Sequence, residues 1–379
     1  MTGIRNRLAR LPAGCLVRAT RMRWSLQEWA QARHWLPVAS SLPSHSVLVR
    51  DGHWWQHDPA NPGTSFYFSP SEGRRLFESL VSSRGEEARI CSYAIDRGWL
   101  LNTWSGLIAL CADRSAAQEV SSGCGDRLAV GPRFHRIEDS FVALQRNQSN
   151  YAHFLVEVAS SLLAFERRLA AFPRLTIGSR SGREILRRAG FRQEIALAPP
   201  QSLLRVRRVE VMRLLPSGFL QPDLLQELAA RLRHSLGPAA RGAEVVLLLR
   251  SPSDCRQLVN WQELVDRLRR RFPGLDVLFP GELPLEEQIR RLASARIVLA
   301  SQGAHAVNLL WAERLEHYIE ITANGDGYVA AVAQALGARV HRLFGVPESR
   351  PAHELPYPEL QFADFRFDPG LLEPVLRDL

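Results

Sequence analysis

The sequence predicts an α/β protein whose C-terminal half is a doubly wound parallel sheet. Three observations predict it. Strand-like and helix-like segments alternate without a break from about Arg241 to Arg342. The run from Glu244 to Leu249 is continuously apolar after its first residue, as in a strand buried on both faces of a parallel sheet. A further β-α-β succession precedes it, between Tyr151 and Leu215.

The whole chain sets the bounds. Its 379 residues suit two domains of ordinary size. An apolar content of 46% and a charged content of 23% are those of a soluble globular protein. No apolar run approaches the ~18–20 residues that span a bilayer. The formal net charge is +9, and all 48 basic residues are Arg. That excess favours an anionic partner such as a nucleotide, an acidic glycan or a membrane surface, and Arg suits bidentate phosphate contacts. Nucleic acid is not expected: there is no zinc-finger spacing, RNP-like aromatic motif or recognition helix, and the Arg residues are dispersed. The five cysteines are scattered with no C-x-x-C pair, against a disulfide framework or a thiolate zinc site. A reducing cytoplasm is the natural compartment. Leu11 to Cys15 faintly resembles a lipoprotein cleavage box, but the preceding residues lack the apolar stretch of a signal peptide. Arg5, Arg7, Arg10, Arg18, Arg21 and Arg23 read as a loose basic tail or as a contact to anionic headgroups.

Residues 1–60 have little pattern, with Trp24, Trp29, Trp35, Trp54 and Trp55 among polar residues, and predict short strands and loops. Ala88 to Asp113 alternates as β structure. From Tyr151 to Leu169, Phe154, Val158, Leu162, Phe165 and Leu169 recur at helical steps, and Leu155, Ala159 and Leu163 widen the face, so a helix buried on most sides is expected. Arg174 to Gly178 reads as a strand, Ser181 to Ala189 as a helix closed by Gly190, and Val206 to Leu215 as a strand. Pro222 opens a helix that ends near Gly237, and Gly237 to Gly242 reads as a linker.

In the second half, Glu244 to Leu249 is the first strand. Asn260 with Glu263 predicts a capping-box start for a helix carrying Trp261, Leu264, Val265 and Leu268. Strands follow at Leu275 to Phe279, Arg296 to Ala300, Glu316 to Ile321 and Val340 to Phe344. Helices lie between them at Pro284 to Ala293, after a Gly303-Ala304 turn, and at Tyr328 to Leu336, closed by Gly337. The tail after Pro347 is rich in Pro and Phe and ends in a short helix near Leu371 to Leu379.

Ligands of such sheets bind at the carboxyl ends of the strands. Three loops stand there. Ser301 to Asn308 places small residues directly after a strand, where backbone N–H groups can meet a phosphate; a ligand-free tight turn would use the same residues. Arg250, Ser251 and Arg256 follow the buried strand and suit a diphosphate, or form a solvated turn. Glu320, 17 residues after Gly303, suits ribose hydroxyls, or is an edge carboxylate with a surface Arg partner. In the first half, His153 and Glu157 are four apart on one helix: one can act as general base while the other orients it, or His153 is a satisfied core histidine. Asn260 reads as a helix cap rather than a ligand. No metal-ligating set is present in the pattern.

Taken in order, these pieces carry a resemblance. Asn150, Tyr151, His153, Phe154, Leu155 and Glu157 come first, then Arg250, Ser251 and Arg256, then Asn260 with Glu263. Leu285 to Ile289, Gly303-Ala304 with Asn308, and Ile319 to Ile321 complete the set. From about Ala88 to its end the chain resembles glycosyltransferase family 61, including bacterial capsular-polysaccharide-type members. The resemblance implies a GT-B-like fold, two Rossmann-like domains facing a cleft. It implies inverting, metal-independent transfer of a hexosyl or pentosyl group from a nucleotide sugar, UDP-linked, to a glycan or lipid-linked acceptor in surface-polysaccharide synthesis. No cofactor is implied. The expected domains are 1–236, acceptor-side, of which 1–87 is an extension; 243–346, nucleotide-sugar-binding; and 347–379, a tail crossing back onto the first. His153 and Glu157 are the implied catalytic pair, with Asn150 and Tyr151 on the acceptor side. Arg250, Ser251, Arg256, Gln302, Gly303, Ala304, His305, Asn308 and Glu320 are the implied donor-binding set. The family carries His directly before the Gly-Ala pair, where this chain has Gln302, and His305 follows three residues later. Either His305 replaces it in space or the phosphate grip is weaker; a catalytically silent relative that binds nucleotide or glycan in a synthesis complex is the alternative. The expected location is the cytoplasm, at the inner face of an anionic membrane.

Overall fold

The computed structural model describes residues 45–48, 53–57, 65–68, 89–103, 106–110, 117–119, 133–144, 150–199, 202–213, 219–237, 242–252, 255–324, 327–349, 362–377 and 379. It divides into two compact units, one made of residues 1–50 and 76–219, the other of 51–75 and 220–379. The strands in chain order are β1 (His45–Leu48), β2 (His53–His57), β3 (Ser65–Phe68), β4 (Arg89–Thr103), β5 (Gly106–Leu110), β6 (Ala117–Glu119), β7 (Arg133–Ala143), β8 (Arg174–Ile177), β9 (Glu194–Leu197) and β10 (Ser202–Arg213). They continue with β11 (Phe219–Leu220), β12 (Val245–Leu248), β13 (Asp276–Leu278), β14 (Ile297–Ser301), β15 (His317–Thr322), β16 (Arg339–Phe344), β17 (Val346–Pro347) and β18 (Phe365–Arg366).

The first unit is built on a mixed sheet of order β6-β5-β4-β10-β7-β8-β9, with β1 paired to β4. Strand β10 joins its two halves: it runs antiparallel to β4 and parallel to β7, and β7, β8 and β9 continue in parallel. Leu204, Val206, Val209 and Val211 of β10 share one core with Val142, Leu144, Ile95 and Leu100. The inward positions change from even to odd across Arg208, whose φ of 50° breaks the two-residue alternation.

The helical run after β7 is not uniform. Tyr151–His153 and Ser160–Leu163 are α-helical, and the six residues between them, Phe154–Ala159, form a π-helix. Every residue from Phe154 to Leu163 is buried, as the wide apolar face required. A second helix, Gly182–Arg188, starts against this segment: a Cβ on Gly182 would fall on the ring of Phe154. Only glycine lets the two approach this closely.

The second unit carries a wholly parallel sheet of order β13-β12-β14-β15-β16. Strand β12 is buried throughout, and Leu247, Leu249, Leu299, Ile319 and Ile321 pack with Leu264, Val265 and Leu268 of the helix Trp261–Arg271. The helices Leu285–Leu292 and Tyr328–Ala335 form as expected, and Gly337 follows with φ 89°. The mixed α/β architecture with parallel strands is compatible with a Rossmann-like glycosyltransferase fold.

Three findings differ from the sequence reading. Ala304–Trp311 winds as a 3-10 helix rather than an α-helix. Ala306 to Trp311 are all buried, so no amphipathic period selects the α form. The units meet in sequence at 219/220, not between 236 and 243, so the helix Pro222–His234 and residues 51–75 go with the second unit. The tail, expected on the first domain, supplies Phe365, Phe367, Leu372, Val375 and Leu376 to the second unit's core. Its last turns, Pro369–Leu372 and Glu373–Arg377, dock on the helix Trp261–Arg271 through an Arg267–Glu373 ion pair. The expectations for the N-terminal basic stretch, for Leu11 to Cys15 and for most of the 237–242 linker lie outside the described residues. No helix of the described residues is long and apolar enough to cross a membrane.

Candidate functional site

The second sheet fixes where a ligand can enter. From β12 the chain passes to β13 on one side and then crosses to β14 on the other. Loops leaving β12 and β14 therefore part in opposite directions, and the crevice between them at the strands' carboxyl ends is the usual ligand site of such sheets. The loop after β12 carries Arg250, Ser251 and Arg256, and the loop after β14 carries Gln302, Gly303, Ala304 and His305. The fold thus brings both sequence-predicted loops to one switch point.

Gly303 is the centre of this arrangement. Its φ of 155° and ψ of 174° lie in a region that is essentially glycine's alone. A Cβ there would overlap Arg250 Nη1 and stand 2.9 Å from His305 Nδ1. The Arg250 guanidinium and the His305 ring therefore both lie against the bare backbone of the turn. Ala304 begins the 3-10 helix directly after it, with Ala306 N–H donating to the Gly303 carbonyl at 3.0 Å. Burial, followed by the charge of Arg250 and then that of Arg256, pushes the His305 pKa down to about 3. Hydrogen bonds to the backbone carbonyls of Leu248 and Ser301 oppose the shift. His305 is thus a neutral imidazole at pH 7, with Nε2 3.4 Å from Ser301 Oγ.

Arg256 is held in an uncommon state. Its φ is 64°, a left-handed backbone for a non-glycine residue. Its guanidinium stands 5.4 Å from the centre of the Phe362 ring. Its Nε is buried and has no hydrogen-bond partner among the described residues. A buried N–H of this kind costs about 1–3 kcal/mol unless something accepts from it. Ser251 is partly buried, and its backbone carbonyl accepts from Gln257 Nε2 at 2.7 Å. Gly281 makes room for its hydroxyl, since a Cβ there would stand 2.6 Å from Ser251 Oγ.

Other predicted donor residues are buried and have partners within the second unit. Glu320 is fully buried on β15 and accepts from Arg342 Nε of β16 at 2.7 Å. Register sets this pair, since Glu320 stands directly opposite Arg342. The carboxylate lies inside the sheet with a largely buried Arg as its partner, not at an edge with a surface Arg. Asn308 is buried and accepts from Trp311 Nε1 at 2.8 Å, bracing its own 3-10 helix. The Gln302 side chain is also buried, with Oε1 accepting from Thr322 Oγ1 at 3.0 Å. Asn260 occupies the N-cap position but makes no capping bond. Its amide instead pairs with the backbone of Phe367 in both directions, at 2.7 and 3.0 Å, and donates to Glu263 at 3.0 Å. Sequence reasoning missed Phe362 and Thr322; for Phe362 the only signal was the Phe content of the tail.

The first unit holds the other candidate site. His153 Nδ1 and Glu157 Oε1 are 2.8 Å apart, across the start of the π-helix. Glu157 is buried to 5% exposure and His153 only partly. A buried carboxylate on Nδ1 fixes the imidazole tautomer and leaves the lone pair, and with it the basicity, on Nε2. π-Helical segments of this kind are frequent at functional sites. Asn150 caps the run, its Oδ1 accepting from Ala152 N at 2.9 Å, and Tyr151 beside it is partly exposed. Among the described residues no three His, Cys, Asp or Glu side chains gather as a metal set.

Residues 151–317 match the family model of glycosyltransferase 61. The match covers less than half of the chain, begins at the His153–Glu157 helix and runs past the Gly303 turn. It supports a glycosyltransferase, with the donor and acceptor substrates that such an enzyme implies. No curated protein matches the chain.

Proposed function

We propose that the chain is an inverting, metal-independent glycosyltransferase of the capsular-polysaccharide type. It moves a hexosyl or pentosyl group from a UDP-linked donor to a glycan or lipid-linked acceptor, in the bacterial cytoplasm at an anionic membrane face. The division of labour is that of a GT-B enzyme, with the donor on the second unit and the acceptor on the first. The observation that carries the reading is the buried Nε of Arg256 at the switch point, on the same loop as Arg250 and without an acceptor among the described residues, where the charge of Arg256 reaches His305. Two guanidiniums and the backbone of a glycine turn fit the diphosphate of a nucleotide sugar and little else of neutral chemistry.

The chemistry follows from those groups. The acceptor hydroxyl attacks the anomeric carbon opposite the diphosphate, so the bond to the acceptor oxygen forms as the bond to the phosphate oxygen breaks. Charge grows on the leaving nucleoside diphosphate, and Arg250 and Arg256 stabilise it there. The hydroxyl proton passes to His153 Nε2, and Glu157 stabilises the imidazolium through Nδ1. Glu157 is thus a positioning group and His153 the base.

The test separates the two roles. Arg256→Ala is expected to weaken UDP binding about tenfold or more in calorimetry. Glu157→Gln is expected to lower kcat for donor-dependent release of UDP by about 100-fold or more while leaving UDP affinity unchanged. No binding of any nucleotide sugar or nucleoside diphosphate by the intact chain sinks the reading. The silent-relative alternative rests on Gln302, whose side chain is bound to Thr322, and on a His305 that carries no charge. Binding without turnover across a broad donor and acceptor panel favours that alternative.

A further inference from the structure

The loop that carries Arg256 is held by a segment more than a hundred residues downstream. Gln257 N–H donates to Asp364 Oδ1 at 2.7 Å. Phe365 N–H donates to the Gln257 carbonyl at 2.9 Å, and Val259 N–H to the Phe365 carbonyl at 2.9 Å. Leu258 and Phe365 form a parallel bridge, and Asn260 closes the series on the backbone of Phe367. Residues 257 to 260 are therefore zipped to 364–367 along both backbones. Arg256, with its left-handed φ, is the residue immediately before the zipper.

At the other end of the strap stands Phe362. Its ring is 53% exposed, which is unusual for an aromatic so near a packed core. Its face meets the Arg256 guanidinium, 5.4 Å from ring centre to Cζ. Phe365 and Phe367, three and five residues on, are buried in the second unit's core and anchor the strap. The strap thus has two anchors in the core, one polar clamp on the loop and one ring on the cation.

We propose that residues 362–367 are a positioning strap for nucleotide binding, in which Phe362 and Asp364 hold Arg256 in its phosphate-receiving state. The ring occupies one face of the guanidinium and prevents it from relaxing into solvent, so its edge N–H groups stay aimed at the switch point. The clamp on Gln257 maintains the backbone turn that Arg256 would not adopt by itself. Phe362 acts through Arg256 and not on the nucleotide base. This proposal rests on the donor-site reading above and adds to it a part of the chain outside the family match.

The experiment has two arms, both on the full chain. In the first, UDP affinity is measured by calorimetry, with GDP and CDP as second probes. Phe362→Ala is expected to weaken binding about fivefold, the size of a partly exposed cation–π contact, while Phe362→Trp keeps it. Combined with Arg256→Ala, Phe362→Ala is expected to add nothing further. Unchanged affinity in Phe362→Ala overturns the proposal, and so does a loss of equal size in the Arg256→Ala background, which would place the ring on the ligand itself. In the second arm, hydrogen exchange follows the Gln257 and Val259 amides. Asp364→Ala is expected to raise their exchange at unchanged thermal midpoint, and unaltered protection overturns the strap. Loss of UDP binding in Arg256→Ala with none in Phe362→Ala leaves the donor site standing and removes only the strap. Absence of nucleotide binding in the parent chain, with the amides still clamped by Asp364, removes the donor reading and with it the strap's role in binding.

Discussion

His305 sits where two positive charges and a protein interior both oppose a third charge. Its pKa of about 3, against an ordinary value near 6.5, ties stability to pH with a definite sign. Between those two values the unfolded chain holds the proton and the folded chain does not. Stability therefore falls as pH falls through the window from about 6.5 to about 3. In His305→Asn the slope of unfolding free energy against pH is expected to be shallower there, by up to about 1.4 kcal/mol per pH unit, in urea titrations at a series of pH values. Equal slopes in parent and variant would mean that the ring is protonated in the fold. Gly303 makes a second prediction at this scale. Gly303→Ala puts a methyl into the Arg250 guanidinium and forces a backbone that alanine avoids. A loss of about 1–3 kcal/mol in folding stability is expected, with UDP affinity reduced more than tenfold. If UDP binds the variant as well as the parent, the turn is structural and the phosphate is held elsewhere.

At the scale of elements, what was legible in the sequence was what is local. The fully apolar run of β12, the amphipathic helices Trp261–Arg271 and Leu285–Leu292, and the glycines after helices all rest on near neighbours in the chain. Parallel pairing could be read in the same way, but strand order could not, and order is what creates the switch point between β12 and β14. The 3-10 winding of Ala304–Trp311 and the π-helix of Phe154–Ala159 escaped because Ala306 to Trp311 and Phe154 to Ala159 are buried on every side, which erases the period that tells one helix from another. The partners of Glu320 and Asn260 escaped for a different reason. These partners, Arg342 and Phe367, are set by strand register and by a chain segment 107 residues away. Asn260 now carries its own prediction. Asn260→Ala strips the Phe367 backbone of its buried partner at both its N–H and its carbonyl. The expected cost is about 1–3 kcal/mol in the unfolding free energy measured by urea titration, whereas a surface cap would cost less. A change within error would show that the tail is held without the Asn260 amide.

Over the whole molecule, the two units have separate cores, one around Val206 and Val211, the other around Leu247 and Ile319. The proposed donor residues belong to the second unit and the His153–Glu157 pair to the first. Ligand linkage then has an address. A ligand at 100 times its Kd adds about 2.7 kcal/mol to whatever it binds, which slows exchange about 100-fold for amides that open only by unfolding of that part. With saturating UDP, the amides of β12 and β14 are expected to slow by that factor, while those of β4 and β10 keep their rates. Protection spread equally over both units would mean that they unfold together and that the division seen in their cores is not one of stability. Protection confined to the first unit would place the nucleotide on the His153 side and reverse the assignment of donor and acceptor. Selective protection of the second unit, lost in Gly303→Ala and retained in Glu157→Gln, would tie the nucleotide to the switch point and leave the acceptor to the helix of His153.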